Sequence, residues 1–268
     1  MWARGVVVCV GVGLIGCRFD PAGVGLDRED AGPAPTDPVD AAAIDGAVGD
    51  GAPAADASPP RFCDPADPDL VACYEFEVAE HADQPFDQSQ YHNHGRADGA
   101  GFRPGRAGAG MAVVAGPAAS IRVPDSRSLD VDTAMTIELW VFPDALPASG
   151  QRAGLVDNER QYGLFLQSSG QVRCSVGGRE MFALTVPAGR WTHLACTYDG
   201  DTLALYQDGV LGGSEPDSGN ISGAGTDGLT LGQNSPDGDH LQGALDQLRI
   251  WRVARTAAQI ESAYAGPR

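Results

Sequence analysis

From about residue 62 onward, the sequence predicts an all-β fold: two antiparallel sheets packed face to face as a sandwich or jelly roll, followed by a short C-terminal helix. Aromatic and β-branched residues occur there in short runs with a period of two. The pairs Asp199-Gly200 and Asp208-Gly209 supply the positive φ angles that tight hairpins need. Many short strands separated by frequent turns are typical of two-sheet antiparallel domains.

The clearest strand spans Met135–Phe142 and is largely apolar on both faces. One face carries four apolar side chains, those of Met135, Ile137, Leu139 and Val141. The other face mixes polar and aromatic side chains, those of Thr136, Glu138, Trp140 and Phe142. Such a strand is expected inside a two-sheet structure, and Pro143 ends it.

Similar runs predict the remaining strands, which are Val71–Phe76, Met111–Val114, Ser120–Val123, Tyr162–Gln167, Val172–Val176, Trp191–Tyr198, Thr202–Gln207, Leu229–Leu231 and Ala244–Trp251. The two Asx-Gly pairs join residues 191–211 into an antiparallel meander. After the last strand, Thr256 and Gln259 have the spacing of a reciprocal capping box, which predicts a helix that ends at Gly266-Pro267.

Residues 1–16 are expected to be a secretory signal peptide. Arg4 precedes an apolar run that is shorter than the roughly 20 residues needed to span a bilayer. Leu14-Ile15-Gly16-Cys17 then resembles the lipobox of bacterial lipoproteins, whose cysteine is diacylated and becomes the first residue. We therefore expect a lipid anchor on Cys17, and Arg18 after it favours the outer membrane or cell surface. The alternative is an ordinary signal peptide with an incidental cysteine.

Residues 17–61 have the composition of a disordered tether. Ala, Pro, Gly and Asp dominate this segment, and no apolar periodicity runs through it. Such a chain cannot bury enough apolar surface to offset its conformational entropy. The predicted domain organisation is therefore a signal peptide over 1–16, a tether over 17–61 and one folded domain over 62–268, a normal size for one β domain.

The acidic composition excludes some partners. The formal net charge is −18, which argues against nucleic acid and against anionic membrane surfaces as binding partners. Contact with the membrane is expected only through the lipid anchor.

Four of the six cysteines lie in the predicted folded domain. An even number in an exported chain favours disulfides, and three pairings are possible. We favour Cys63–Cys73, which fastens the tether to the sheet edge, and Cys174–Cys196, which lie in two strand candidates that neighbour one another. A zinc site is the rival interpretation, but the sequence has no Cys-x-x-Cys pair and no nearby histidine pair.

Ordered motifs over about 200 residues resemble a known family. They lie at Leu70–Glu77, Asp87–Gly95, Met135–Pro143, Gly189–Gly200, Leu203–Gly209 and Gly243–Trp251. In this order they resemble the laminin-G-like, concanavalin A-like jelly roll of bacterial surface proteins. The resemblance implies that fold for residues 62–268, but it is poorly specific for function.

The resemblance also implies a calcium site at the edge of the sandwich. It nominates Asp87 and Asp246 as carboxylate ligands, with Ser89 and Asn93 as supplementary ligands, and oxygen donors of this kind suit calcium. The alternative is a turn in which these residues bond their own backbone. Where the family usually has Gly after the serine, this chain has Gln90-Tyr91-His92.

Two other polar groups are better explained as loops. The segment Asn234–Asp239 contains acids that suit a ligand-contacting loop or a weak cation site, but a solvated loop is favoured. His92 and His94 flank Asn93 and suggest a transition metal, yet loop histidines are the simpler interpretation.

The chain shows no recognisable catalytic set. Glycoside hydrolases need two carboxylates about 5–9 Å apart, and Glu138 has no second acid two or four positions away. His193 lies within a strand, and no Gly-x-Ser-x-Gly motif is present. Sugar stacking by the tryptophans is a rival to core packing, which is favoured for Trp140, Trp191 and Trp251.

Together these observations predict an exported, lipid-anchored surface protein that is not an enzyme. Its domain is expected to bind a carbohydrate or an extracellular protein ligand, with a structural calcium as an option. One alternative is a glycan hydrolase or lyase with an unrecognised active site. Another alternative is a structural or adhesion module of the cell envelope.

Overall fold

A computed structural model describes residues 61–77, 84–107, 111–115, 119–221, 228–234 and 238–266. All of them belong to one unit, residues 55–268. The predicted signal peptide, the lipidation site Cys17 and the tether up to residue 60 lie outside the described residues.

The described chain forms two antiparallel sheets and one C-terminal helix, α1 (Ala257–Ala265), which confirms the all-β prediction. The strands are β1 (Leu70–Tyr74), β2 (Arg96–Asp98), β3 (Gly101–Pro104), β4 (Met111–Ala115), β5 (Ser120–Val123), β6 (Met135–Pro143), β7 (Arg152–Asn158), β8 (Tyr162–Gln167), β9 (Gln171–Val176), β10 (Arg179–Thr185), β11 (Thr192–Tyr198), β12 (Thr202–Gln207), β13 (Val210–Pro216), β14 (Leu229–Leu231) and β15 (Gly243–Trp251). A short 3-10 helix covers Arg127–Leu129.

Sheet A has the strand order β13-β12-β11-β6-β15-β4-β3, and β1 pairs with the last residues of β15. Sheet B has the order β10-β9-β8-β7-β14-β5-β2. The apolar core fills the space between the sheets and includes Tyr74, Ile137, Leu164 and Tyr198, each fully buried. The alternation read from the sequence therefore points one face of each strand into this core.

β6 is buried on both faces, as its pattern predicts. Its inward face packs in the core, while its outer face carries Glu138 and Trp140, which are only 2% and 6% exposed. The outer face is covered by α1, whose Tyr264 stacks on Trp140, while Ile260 packs against Ala195 and Tyr206 of the neighbouring strands. The face of sheet A that points away from sheet B is therefore a second, partly polar packing layer.

The helix begins where its capping box predicts. The Thr256 hydroxyl accepts the N–H of Gln259, and the Gln259 side chain accepts the N–H of Thr256. Within the described residues, no helix has the length and apolar character required to cross a bilayer.

The two disulfides join the same cysteines that the sequence favours. Cys63–Cys73, with Cα atoms 5.8 Å apart, fastens the chain before β1 to the outer side of sheet A. Cys174–Cys196, with Cα atoms 6.4 Å apart, joins β9 of sheet B to β11 of sheet A. The expected reason for the second pair was wrong, because these strands are not neighbours in one sheet but face each other across the core.

Candidate functional site

Asp87, expected as a calcium ligand, instead organises its own loop. The carboxylate is fully buried. Its Oδ1 accepts the N–H groups of Cys73 at 2.8 Å and Ser89 at 2.9 Å. Its Oδ2 accepts the Ser89 hydroxyl and the Asn93 N–H, each at 2.7 Å. A carboxylate offers about four acceptor positions, so these donors fill the coordination capacity of Asp87.

Ser89 and Asn93 complete the same loop, as the turn alternative anticipates. The Asn93 amide donates to the carbonyl of Val71 at 2.8 Å and accepts the Ser128 hydroxyl at 2.9 Å. Beneath them Tyr74 donates to the carbonyl of Asn93, and burial, followed by the charge of Asp87, raises the pKa of this phenol. The loop is thus fixed to β1 by hydrogen bonds.

Asp246 lies in a separate set of contacts on the outer face of sheet A. Its Oδ2 accepts the N–H groups of Arg106 at 2.6 Å and Ala107 at 3.4 Å, and its Oδ1 accepts the N–H of Gln247 at 2.8 Å. Burial raises the pKa of this carboxyl to about 6, against the lowering effect of those N–H groups. Among the described residues, Asp246 and Asp87 have no hydrogen-bond partner in common.

The predicted calcium ligands therefore do not fit a calcium cage in this arrangement. Calcium takes six to eight oxygens, whereas the oxygens of Asp87 are occupied by N–H and O–H donors. In the part of the chain that the structure describes, no group of three or more His, Cys, Asp or Glu side chains is placed to hold a metal ion. His92 and His94 lie with ring centroids 5.6 Å apart, and His94 stacks on Phe86.

Glu138 contacts both His193 and Arg249 in a buried polar cluster on the outer face of sheet A. The Glu138 Oε1 lies 2.9 Å from the His193 Nε2 and 2.9 Å from the Arg249 Nη2. Burial alone raises the pKa of Glu138, but the His193 hydrogen bond and the Arg249 charge outweigh it and hold the pKa below its usual value. Glu138 and Asp246 are both almost fully buried.

The three tryptophans do not form a common platform for a sugar. Trp140 stacks on Tyr264 of α1, and Trp191 packs edge-on against Phe142. Trp251, 2% exposed, packs with Cys63 and Cys73. The tryptophans serve in packing, which the sequence analysis favoured over sugar stacking. They pack on the outer face of sheet A rather than between the sheets.

A polar hollow of about 170 Å³ lies on the outer face of sheet B. Its floor consists of outward residues of β8 and β9, and its walls are the β7–β8 turn and Asn234. The segment after β14 lies directly on β7, since a Cβ at Gly154 would stand 2.3 Å from the backbone of Gln233. We call this feature the sheet-B hollow; the side chains that define it are Arg152, Asp157, Asn158, Glu159, Phe165, Arg173, Ser175 and Asn234.

Planar polar groups converge in the sheet-B hollow. The guanidinium groups of Arg173 and Arg152 both lie over the Phe165 ring, with their central carbons 4.2 and 5.3 Å from its centroid. Arg152 also pairs with Asp239 at 2.9 Å, and Arg173 with Glu180 at 2.9 Å. The predicted loop Asn234–Asp239 thus supplies Asn234 to the hollow and Asp239 to its rim, while residues 235–237 lie outside the described residues.

A larger cleft of about 620 Å³ opens on the outer face of sheet A. It lies between β15, the segment that Cys63 fastens to the sheet, and α1, and we call it the β15–α1 cleft. Its principal side chains are Arg61, Phe62, Asp67, Gln247, Arg249, Trp251, Arg255 and Ser262. At its floor Gln247 has a positive φ of 48° at the β15 bulge, a backbone conformation that side chains rarely adopt.

The sequence did not single out most residues of either surface feature. Of the sheet-B hollow it flagged only Asn234, and of the β15–α1 cleft only Trp251. The outward arginines of β7 and β9 carry no local motif, because the hollow forms only when the turn after β7 and the segment after β14 meet. Alternation of Arg173 and Ser175 with buried residues on β9 was the one readable signal.

Comparison with known proteins confirms the concanavalin A-like fold. A family model described as the concanavalin A-like lectin/glucanases superfamily, Laminin_G_3, matches residues 115–261, more than half of the chain. No curated protein matches the sequence.

Solved structures that share this fold include a domain of an arabinanase and binding domains of toxins. Domain 4 of a GH43 extracellular arabinanase from Geobacillus stearothermophilus, solved with arabinotriose, is 22% identical, with a TM-score of 0.58 over 73% of this chain and 98% of that domain. The binding domain of Paraclostridial Mosquitocidal Protein 1 is 17% identical, with a TM-score of 0.59 over 73% of this chain and 52% of that one.

The binding domain of botulinum neurotoxin DC, solved with rat synaptotagmin II, is 10% identical, with a TM-score of 0.56 over 74% of this chain and 51% of that one. The chain thus spans about half the length of these toxin domains. At such identities the likeness shows the fold.

Proposed function

This chain belongs to the Laminin_G_3 family of the concanavalin A-like lectin/glucanases superfamily, and on that premise we propose that its jelly roll is a carbohydrate-binding module, exported and held at the cell surface by a lipid on Cys17. The arabinanase domain supports this proposal because its whole length matches this fold and it was solved with arabinotriose.

The sheet-B hollow carries the proposal. A sugar ring presents adjacent hydroxyl groups that each donate and accept, and planar carboxylate, amide and guanidinium groups pair with two of them at once. The hollow brings together these three group types in Asp157, Asn234 and Arg173. Its volume of about 170 Å³ suits one sugar unit of a longer glycan, which favours a carbohydrate over a large protein contact.

Blocking the hollow without disturbing the core tests the proposal. Ser175 points outward from β9 into the hollow, so Ser175→Tyr fills its volume. Gln171→Tyr adds the same side chain to the same face of β9 outside the hollow and serves as the matched control. On an array of neutral glycans, we expect binding by the native protein and by the control, and loss of binding by Ser175→Tyr.

Two array results contradict the proposal. The first is no binding of the native protein to any glycan, which favours the structural or adhesion module. The second is equal binding by Ser175→Tyr and Gln171→Tyr, which would move the ligand away from the sheet-B hollow.

A glycan hydrolase is the second candidate because Asp157 and Glu159 both line the hollow. Hydrolases place two carboxylates on either side of the scissile bond. Prolonged incubation of the native protein with each bound glycan, followed by measurement of new reducing ends, separates the two functions. The binding proposal expects no release, whereas release that Asp157→Asn abolishes would establish the hydrolase.

Export and anchoring rest on the sequence of residues 1–17. Mass spectrometry of the N-terminal peptide from the native host should find a diacylated cysteine at position 17 as the first residue. Detection of an unmodified N-terminus at another residue would contradict the anchor, and Cys17→Ser gives the matched unlipidated control.

A further inference from the structure

Two of the three arginines that line the β15–α1 cleft, Arg249 and Arg255, are in different electrostatic states. Arg249 is neutralised, because its Nη2 donates to Glu138 at 2.9 Å and its Nη1 donates to the carbonyl of Phe62 at 3.2 Å. Arg255 lies over the indole of Trp251, with its guanidinium carbon 4.5 Å from the ring centroid. Within the described residues, the guanidinium of Arg255 makes neither a hydrogen bond nor an ion pair, and its Nε is buried.

Both acids of the cleft already accept hydrogen bonds from other donors. The Asp67 Oδ2 accepts the indole N–H of Trp251 at 3.1 Å, and its Oδ1 accepts the N–H of Asp69 at 2.9 Å. The Asp64 Oδ1 accepts the N–H of Ala66 at 2.9 Å. Partly buried charges are normally paired. Among the described residues, the charges of Glu138 and Asp67 act on Arg255 without forming an ion pair with it, in a protein whose formal net charge is −18.

The rest of the cleft suits a hydroxylated ligand rather than a simple ion. Gln247 and Ser262 add an amide and a hydroxyl to the lining, and Phe62 and Trp251 add aromatic surface. The volume of about 620 Å³ exceeds that of the sheet-B hollow and accommodates several sugar units. The strained φ of Gln247 is typical of residues that a fold holds in place for binding.

We propose that the β15–α1 cleft binds a carboxylate-bearing saccharide, a uronate chain, whose carboxylate pairs with Arg255. Gln247 and Ser262 bind hydroxyl groups of the same chain. This inference rests on the proposed saccharide binding. It adds a second subsite, for an anionic saccharide, on sheet A, whereas the sheet-B hollow lies on the other sheet.

The test is calorimetric titration of the purified protein with tetragalacturonate and with its methyl ester, which keeps the sugar chain and removes the charge. We expect the acid form to bind at least about tenfold more tightly than the ester, since charge-assisted hydrogen bonds are the stronger ones. Raising the ionic strength from about 0.05 M to about 0.5 M should weaken the binding of the acid form.

Arg255→Gln should cause the same loss of roughly tenfold or more in affinity for the acid form. Arg252→Gln is the matched control, because Arg252 lies on the same connection but packs over Tyr91 and does not line the cleft. A melting temperature measured on each variant separates lost binding from lost folding.

The failures of the two proposals are distinguishable. Ser175→Tyr should leave tetragalacturonate binding unchanged, so a loss of neutral-glycan binding alone leaves this inference standing. Equal affinity for acid and ester, or equal affinity of Arg255→Gln and Arg252→Gln, would overturn it. Tighter Arg255-dependent binding of pentaglutamate than of tetragalacturonate would also overturn it and assign the cleft to an acidic peptide.

Discussion

The role of each buried carboxylate in this protein depends on the groups that contact it. Glu138 and Asp87 are both almost fully buried, yet Glu138 pairs with the guanidinium of Arg249 whereas Asp87 accepts hydrogen bonds from N–H and O–H donors. The sequence singled out Glu138 as a candidate catalytic acid and Asp87 as a candidate calcium ligand. The partners of Asp87 include the N–H of Cys73, 14 residues earlier in the chain, which no local pattern indicates. A carboxylate can accept hydrogen bonds from N–H groups or coordinate a cation. The amino-acid composition of the loop therefore cannot distinguish a turn from a calcium site.

Replacing Glu138 tests the buried pair. Glu138→Gln leaves the charge of Arg249 buried without its partner, so the free energy of unfolding at pH 7 should fall by about 3 kcal/mol. The folded pKa of Glu138 lies below its unfolded value, so its stabilisation is full above the unfolded pKa and is lost as pH falls through the folded pKa. The difference from the native protein, measured by urea unfolding, should therefore shrink towards about pH 3.

The control for this measurement is Glu215→Gln, an exposed acid on β13. It should change the free energy of unfolding by no more than about 0.5 kcal/mol. A difference between Glu138→Gln and the native protein that grows on acidification would contradict the ion pair.

Replacing Asp87 tests the loop assignment. In Asp87→Asn one oxygen becomes an NH₂ group that faces two donors, so the free energy of unfolding should fall by about 3 kcal/mol. Asp64→Asn, in an exposed turn with one N–H partner, should change it by less than about 0.5 kcal/mol. A calcium-dependent rise in melting temperature that Asp87→Asn removes would show that the carboxylate binds the ion instead.

Elements with a strong period of two were predictable from the sequence, and those without it were not. The strands found in advance include β6, β8 and β11, whose apolar residues alternate or run continuously. β2 and β3 are short and lack fully buried residues, and β13 contains Gly212-Gly213 and ends at a proline, so no hydrophobic pattern marks them. The first strand ends at Tyr74 rather than at Phe76, because Phe76 has a positive φ of 56°.

The two disulfides should stabilise different parts of the fold. Cys174–Cys196 joins the sheets across the core, and Cys63–Cys73 holds one wall of the β15–α1 cleft. Replacing either pair by serine should lower the free energy of unfolding by about 3 kcal/mol. Only the Cys63→Ser/Cys73→Ser variant should also weaken tetragalacturonate binding while it remains folded, as calorimetry can measure. Equal weakening by the Cys174→Ser/Cys196→Ser variant would contradict this division.

At the scale of the whole molecule, the two sheets present different outer faces. The outer face of sheet A is largely covered by α1 and by the segment that Cys63 fastens, which leaves the β15–α1 cleft open. The outer face of sheet B carries the smaller sheet-B hollow. The sequence predicted the fold because its motifs are local and ordered, but both surface features join segments far apart in the chain and so have no local pattern.

Chemical-shift mapping tests the central claim of carbohydrate binding most directly. The native protein is titrated with the neutral oligosaccharide that gives the strongest array signal, at ligand concentrations up to about 1 mM. We predict that the largest amide shifts occur at residues 157–161, 173–175 and 232–234, around the sheet-B hollow. Shifts confined to other surfaces, or no shifts at any concentration, would contradict the account.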